Sequence, residues 1–143
     1  MKLAHICIVA RDADKLAAFY KKVFECRLLR EPIVLSGGKV SRGNGLPNSR
    51  IYSIWLTLAD RKEPFLEIHQ HKTTCEKSAP RVNEPGFSHL AFEVDDIRKT
   101  YALVIRTGGT ALGEITDFGS AEAPLLIVYM RDPEGNILEL EQS

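Results

Sequence analysis

Two stretches of the chain repeat one pattern of hydrophobic and polar positions. A shift of 84 residues aligns HICIVARDADKLAAFYKKVFECRLL with HLAFEVDDIRKTYALVIRTGGTAL without a gap. In each copy a short apolar run leads to an aspartate, Asp12 or Asp96, that is suited to cap a helix because its side chain accepts from free backbone N–H groups. Apolar positions then recur at helical spacing. The pattern predicts a strand followed by an amphipathic helix, twice.

Three further strand-like runs follow each predicted helix. They lie at about 28–35, 51–58 and 64–71 in the first copy, and at about 111–116, 124–131 and 136–141 in the second. The turn signals ADRKEP and RDPEG separate the last two runs of each copy. We therefore predict an α+β fold of two βαβββ modules with mostly antiparallel sheets. The modules, about 1–72 and 86–143, are joined by a linker at about 73–85 in a single domain of residues 1–143.

The first copy is longer than the second in one place. From His5 to Glu67 the chain runs 62 residues, whereas from His89 to Glu139 it runs 50. The polar, glycine-rich segment 36–50 accounts for the surplus. A loop of this length suits a lid or the rim of a site, and a tolerated surface insertion is the equal alternative.

Four ionisable residues recur at equivalent positions. Each module begins its first strand with a histidine, His5 or His89, and carries a glutamate in its last strand, Glu67 or Glu139. Side chains alternate between the faces of a strand, so all four lie opposite the continuous aliphatic positions. Singly, each is most simply a solvated residue, but an unpartnered buried carboxylate is costly. Together they form a ligand set for a borderline divalent ion such as Zn²⁺, Ni²⁺, Co²⁺, Mn²⁺ or Fe²⁺.

The motifs HICIV, FYKKVF, FLEIH, FSHLAFEV and DPEGNILELEQ resemble those of the vicinal oxygen chelate superfamily, which includes glyoxalases, bleomycin resistance proteins and extradiol dioxygenases. The resemblance covers nearly the whole chain, and DPEGNILELEQ is its most specific part. It implies half-open sheets around a divalent metal ion with the ligands His5, Glu67, His89 and Glu139, and a homodimer. The ligand order is similar to that of bacterial glyoxalase I, whereas methylmalonyl-CoA epimerases have glutamine at the position of Glu67.

The resemblance implies a metal-dependent lyase or isomerase of glyoxalase I type, acting on a small α-oxygenated carbonyl substrate. A metal ion would stabilise the enediolate that forms when a neighbouring proton is removed, and Glu139, or else Glu67, would be the general base. Val9 and His71 depart from the glyoxalase I pattern, which has Arg and Asn there, so the use of glutathione stays open. A dioxygenase of the same superfamily and a non-catalytic antibiotic- or metabolite-binding protein are the alternatives.

Other side chains are candidates for the walls of the site. Cys7 shares the face of His5, and His69 shares that of Glu67, although packing and solvation are their simpler roles. Trp55 is first a core residue. Arg11, Arg50 and Arg106 are candidates for anion contacts, with solvated charge as the simpler alternative.

Charge and composition exclude other classes of partner. The chain has 19 Lys and Arg and 19 Asp and Glu, so nothing favours nucleic acid or an anionic membrane. It shows neither a long apolar run nor a signal-peptide pattern, which predicts a cytoplasmic protein. Its 3 cysteines lack paired spacing, so we expect reduced thiols rather than disulfides.

Overall fold

The computed structural model describes residues 1–58 and 61–143 and divides into two compact units, Met1–Glu76 and Lys77–Ser143. The elements of unit 1 are β1 His5–Val9, α1 Ala13–Val23, β2 Ile33–Ser36, α2 Gly38–Asn44, β3 Arg50–Leu58 and β4 Arg61–His71. Those of unit 2 are β5 His89–Glu93, α3 Ile97–Arg106, β6 Thr110–Ala111, β7 Thr116–Asp117, β8 Leu126–Arg131 and β9 Ile137–Gln142.

The sheet of unit 1 has the strand order β1-β4-β3-β2. Strand β1 pairs with β4 in parallel, and the other pairs are antiparallel. Helix α1 packs on β3 and β4 through a fully buried stripe that includes Leu16, Phe19 and Tyr20. Burial of each such side chain stabilises the fold by about 1.5–3 kcal/mol. One face of the sheet is thereby covered, and the face of Glu67 is the other one.

The sheet of unit 2 repeats this arrangement, with the order β5-β9-β8-β6 and with β7 also paired to β8. The helix starts are built alike in the two units. Asp12 accepts from Lys15 N and Asp96 from Lys99 N, each at 2.9 Å. A glutamine from the last strand accepts from the first residue of the helix, Gln70 at 2.9 Å in unit 1 and Gln142 at 2.8 Å in unit 2. The repeat therefore extends to the contacts between helix and sheet.

The turn between β8 and β9 sets the register of β9. Asp132 is buried, and its carboxylate accepts from Glu134 N, Asn136 N and Asn136 Nδ2 at 2.8–3.0 Å. Gly135 takes φ +89°, a conformation that favours glycine. The residues of the motif DPEGN thus form a closed turn that positions β9, which carries Glu139.

The α+β architecture with mostly antiparallel strands is confirmed, and the departures from the predicted elements are local. The predicted strand 28–35 forms only over Ile33–Ser36, with a single bridge from Leu28 to Leu56. The predicted strand 111–116 is divided into β6 and β7. Leu112 N and Gly113 N both donate to Tyr129 O, which is the doubled pairing of a bulge.

Two further differences concern the predicted loops. The segment 36–50 is not wholly irregular, because α2 begins after Gly37 and ends at Gly45 with φ +73°, a left-handed helix end. The turn predicted at ADRKEP begins at residues 59–60, which lie outside the described residues, and 61–64 already belong to β4. None of the described helices is long and apolar enough to cross a membrane.

Candidate metal centre

Unit 1 brings His5 and Glu67 together. The parallel register of β1 and β4 places His5 beside Phe65 and Cys7 beside Glu67. His5 Nε2 lies 3.3 Å from Glu67 Oε2, and the His5 ring stacks on Phe65 with the ring centroids 5.0 Å apart. The carboxylate is buried, since only 6% of Glu67 is exposed. The structure thus pairs the two residues that the sequence predicted as the metal ligands of the first module.

The other carboxylate oxygen of Glu67 is held by three neighbours. Ser53 Oγ and Trp55 Nε1 both donate to Oε1 at 2.7 Å, and His69 Nε2 lies 2.8 Å from it. Burial acts to raise the pKa of Glu67, but the contacts with Ser53, Trp55 and His69 outweigh it and keep this pKa below its usual value. Glu67 is therefore an ionised carboxylate with one oxygen fixed and the other facing His5.

Unit 2 brings His89 and Glu139 together in the same way. Strands β5 and β9 pair in parallel, with Ala91 beside Glu139. His89 Nε2 lies 3.2 Å from Glu139 Oε2. The edge of the His89 ring meets Tyr129 at a centroid distance of 5.3 Å. Glu139 is buried like Glu67.

The surroundings of Glu139 differ from those of Glu67. The hydrogen bond between Tyr129 and Glu139, followed by burial, raises the pKa of the Tyr129 hydroxyl. A hydrogen bond to Glu139 is also the main reason why the pKa of Glu141 is raised. In register, Tyr129 and Ile127 occupy the places of Trp55 and Ser53, and Glu141 occupies that of His69. Glu139 thus has a second carboxyl group beside it where Glu67 has an imidazole.

The spacing within each pair fits a shared cation. Two ligands bound tetrahedrally to Zn²⁺ at about 2.0–2.1 Å lie about 3.3 Å apart. The two His–Glu separations, 3.3 and 3.2 Å, agree with this value, while His69 Nε2 and Glu67 Oε1 are 2.8 Å apart, closer than two ligands of one ion. The donor atoms, imidazole nitrogen and carboxylate oxygen, suit borderline divalent ions.

Several residues of the site were not predicted from sequence. Ser53, Tyr129 and Glu141 all contact one of the two glutamates or its neighbours, and His69 had solvation as its simpler role. The alternation of side chains along β3 and β8 places Ser53 with Trp55 and Ile127 with Tyr129. This alternation was the signal available in the sequence, but it predicts a contact only when the pairing register of the neighbouring strands is known. Cys7, Glu67 and His69 also bring ligand atoms within 4.8 Å of one another.

Comparison with known proteins identifies a family for this chain. Residues 2–140 match the family model described as the Glyoxalase/Bleomycin resistance protein/Dioxygenase superfamily. The chain belongs to this superfamily. The resemblance stated from the sequence motifs is therefore confirmed, and the fold of the two units described above is that of the superfamily.

Relatives in this superfamily cover almost the whole chain at low identity. The mitochondrial methylmalonyl-CoA epimerase of Homo sapiens is 24% identical over 142 residues, which is 99% of this chain and 74% of that protein. A glyoxalase family protein from Bacillus cereus matches with a TM-score of 0.87 at 19% identity, covering 99% of this chain and 93% of that one. A glyoxalase I mutant from Zea mays matches with a TM-score of 0.67 at 18% identity, covering 99% and 45%. The structural likenesses establish the fold.

Proposed function

We propose that this protein is a metal-dependent lyase or isomerase that acts on a small α-oxygenated carbonyl substrate, with a glyoxalase I-type reaction as the first candidate. The observation that carries the proposal is the pair of His–Glu contacts, 3.3 Å in unit 1 and 3.2 Å in unit 2. Both pairs contain a buried carboxylate, and an isolated buried charge is too costly to be kept without a partner. His5, Glu67, His89 and Glu139 would hold the ion.

A divalent ion bound by these residues would supply a Lewis acid that polarises a substrate carbonyl and makes the adjacent C–H proton easier to remove. The chain's own task is then to take that proton and return it. Both steps need a carboxylate that can move, because it must reach first one atom of the substrate and then another.

Glu139 is better suited to this movement than Glu67. Rotation of the Glu67 carboxylate would break the contacts of Oε1 with Ser53, Trp55 and His69, and each lost buried hydrogen bond costs about 1–3 kcal/mol. Glu139 lacks the counterparts of Ser53 and His69 and has the Glu141 carboxyl group beside it. We therefore assign Glu139 as the general base and Glu67 as a fixed ligand.

A second candidate reaction is the epimerisation of methylmalonyl-CoA. The human relative that matches 99% of this chain is named for that activity, and epimerisation also removes and returns a proton beside a carbonyl. Glu67 favours the glyoxalase I type, since the resemblance places glutamine there in the epimerases. Both reactions would use the same His–Glu pairs and begin with removal of a proton beside a carbonyl. They differ in its return, because a glyoxalase I-type reaction delivers a proton to the neighbouring carbon, whereas epimerisation must deliver one to the opposite face of the same carbon and so needs a second proton donor.

The two reactions can be separated with one preparation. Purified protein loaded in turn with Ni²⁺, Zn²⁺ and Co²⁺ is given the hemithioacetal of methylglyoxal and glutathione, or methylmalonyl-CoA, in D₂O. We expect turnover of one of the two substrates. If solvent reaches the base during turnover, the product should contain deuterium at the carbon to which the base returns the proton. The proposal is wrong if neither substrate exchanges or reacts with any of these metals bound.

A further inference from the structure

The surplus segment of the first module is unusual in its charge. Residues 32–59 contain no aspartate or glutamate but include Lys39, Arg42 and Arg50, although the chain as a whole has 19 acidic and 19 basic residues. The segment 36–50, which has no equivalent in the second module, supplies all three cations. The charge of this part of unit 1 is therefore positive, whereas the chain is neutral overall.

A cavity of about 410 Å³ lies against this segment. Among the described residues, its polar lining consists of Ser36, Ser41, Asn48, Ser49, Arg50 and Lys72, and none of these is acidic. Arg42 lies beside this lining rather than in it, since a Cβ added at Gly38 would lie 3.2 Å from one of its guanidinium nitrogens. Two cations, Arg50 and Lys72, therefore line one concave surface.

These two cations are neighbours where β3 begins and β4 ends. Ile51 pairs with His71 in the antiparallel register of β3 and β4, and Lys72 N donates to Arg50 O at 2.9 Å, so Arg50 and Lys72 are cross-strand neighbours. Like charges placed opposite one another destabilise a sheet. Neither side chain forms an ion pair within residues 1–58 and 61–143. A bound anion would offset this repulsion.

The cavity also presents two hydroxyl groups with protons left to donate. Ser49 is 4% exposed, and its Oγ accepts from Asn44 Nδ2 at 2.8 Å. Ser41 Oγ accepts from Ser49 N at 3.0 Å. Both hydroxyl oxygens therefore act as acceptors in these contacts, and their O–H protons have no acceptor in the part of the chain that the structure describes. Hydroxyl donors beside Arg and Lys are suited to a tetrahedral oxyanion.

We infer that this cavity is a binding site for a phosphoryl group, either as free phosphate or as part of a phosphorylated small molecule. The Arg50 guanidinium can bind two phosphate oxygens at once, while Lys72 adds a point charge. The site is separate from the candidate metal centre. Lys72 directly follows β4 and lies five positions beyond Glu67 in the chain, a separation of up to about 16 Å between Cα atoms in extended backbone, and none of the residues that line the cavity is one of the proposed metal ligands. The inference therefore goes beyond the proposed function and does not depend on it.

The test is an NMR titration of the purified, ¹⁵N-labelled full chain at low ionic strength with inorganic phosphate, ADP and acetate. We expect saturable shifts of the amides of 36–50 and of Lys72 with phosphate and ADP. Arg50→Gln and Lys72→Gln should each weaken phosphate binding about tenfold, the loss expected for one charge-assisted contact. Lys21→Gln is the matched control, because it removes one charge from the exposed side of α1, and it should bind as the wild type does.

The outcomes are distinguishable. Tighter binding of ADP than of phosphate supports a phosphorylated small molecule as the ligand, and equal or weaker binding of ADP supports free phosphate. The inference is overturned if phosphate produces no saturable shifts in the wild type, if acetate binds as tightly as phosphate, or if Arg50→Gln and Lys72→Gln bind phosphate as the wild type does. The absence of saturable phosphate shifts in the wild type is sufficient to reject the site, whatever the variants show. The titration does not measure isomerase activity, so its result is independent of the proposed function.

Discussion

At the scale of single residues, the two glutamates of the candidate site are alike in position and unlike in surroundings. The sequence was sufficient to place all four ligand candidates on strand faces opposite the aliphatic positions, because strand alternation and the repeat fix this, but the pairing of His5 with Glu67 and of His89 with Glu139 follows from the parallel register of the strands. It was not sufficient to predict that Ser53 and His69 hold Glu67, since these contacts depend on the register of β3 against β4. The different roles we propose for Glu67 and Glu139 follow from those contacts.

The first prediction concerns this difference in role. Glu139→Gln should lower kcat by about 10²–10⁴-fold, the usual contribution of a general base, with the bound metal largely retained. Ser53→Ala should instead lower metal affinity by about 10–100-fold, because it removes a hydrogen bond that orients a ligand, with a smaller effect on kcat. Steady-state kinetics and a metal competition titration measure both quantities. Ser78→Ala, an exposed serine, is the control. Normal turnover by metal-loaded Glu139→Gln would remove Glu139 from the role of base.

A second prediction at this scale concerns Cys26, which is 3% exposed. Burial raises the pKa of its thiol from 9.0 to about 11. The folded state therefore disfavours the thiolate. The contribution of the neutral thiol to the free energy of unfolding is fully present below the pKa of the unfolded chain, 9.0, and is lost as the pH rises to about 11. The loss amounts to at most about 2–3 kcal/mol.

Urea unfolding between pH 8 and pH 11 measures this effect. The wild type should lose more stability over this range than Cys26→Ala does, while Cys75→Ala, which changes an exposed cysteine, should follow the wild type. Parallel pH dependence of the wild type and Cys26→Ala would show that the thiol does not contribute.

At the scale of elements, hydrophobic spacing and capping residues predicted most strands and both long helices. The capping aspartates succeeded because their contacts are local, within three residues along the chain. The strand predicted at 111–116 failed because Leu112 and Gly113 share one acceptor, Tyr129 O, and a bulge is decided by the partner strand. Helix α2 was missed because its sequence, GKVSRGN, has two glycines and no apolar stripe.

The turn between β8 and β9 gives a third prediction. Asp132→Ala removes the acceptor of Glu134 N, Asn136 N and Asn136 Nδ2. Because these donors then lose their partner in a partly buried turn, we expect the free energy of unfolding to fall by roughly 3 kcal/mol. Asp12→Ala is the matched control, since it removes a helix cap and should cost about 0.5–2 kcal/mol. Chemical denaturation of both variants measures the difference, and an equal or smaller loss for Asp132→Ala would contradict this role of the turn.

At the scale of the whole molecule, we expect a homodimer, as the resemblance implies. Within the described residues, strand β1 pairs with β4 and has no partner on its other side, and Val9 in that strand is 54% exposed. Unpaired edges with apolar side chains favour association. Light scattering during size-exclusion chromatography should give about twice the chain mass of 16.0 kDa. A monomer at all concentrations tested would contradict the expectation.

The central claim is that the two His–Glu pairs, from the two units of one chain or of two chains, bind one divalent ion per chain. Metal content after dialysis, measured for the wild type and for the double variants His5→Ala/Glu67→Gln and His89→Ala/Glu139→Gln, tests it most directly. The account predicts one ion per wild-type chain and almost none in either double variant. A wild type that retains no ion, or two double variants that each keep the wild-type content, would contradict it.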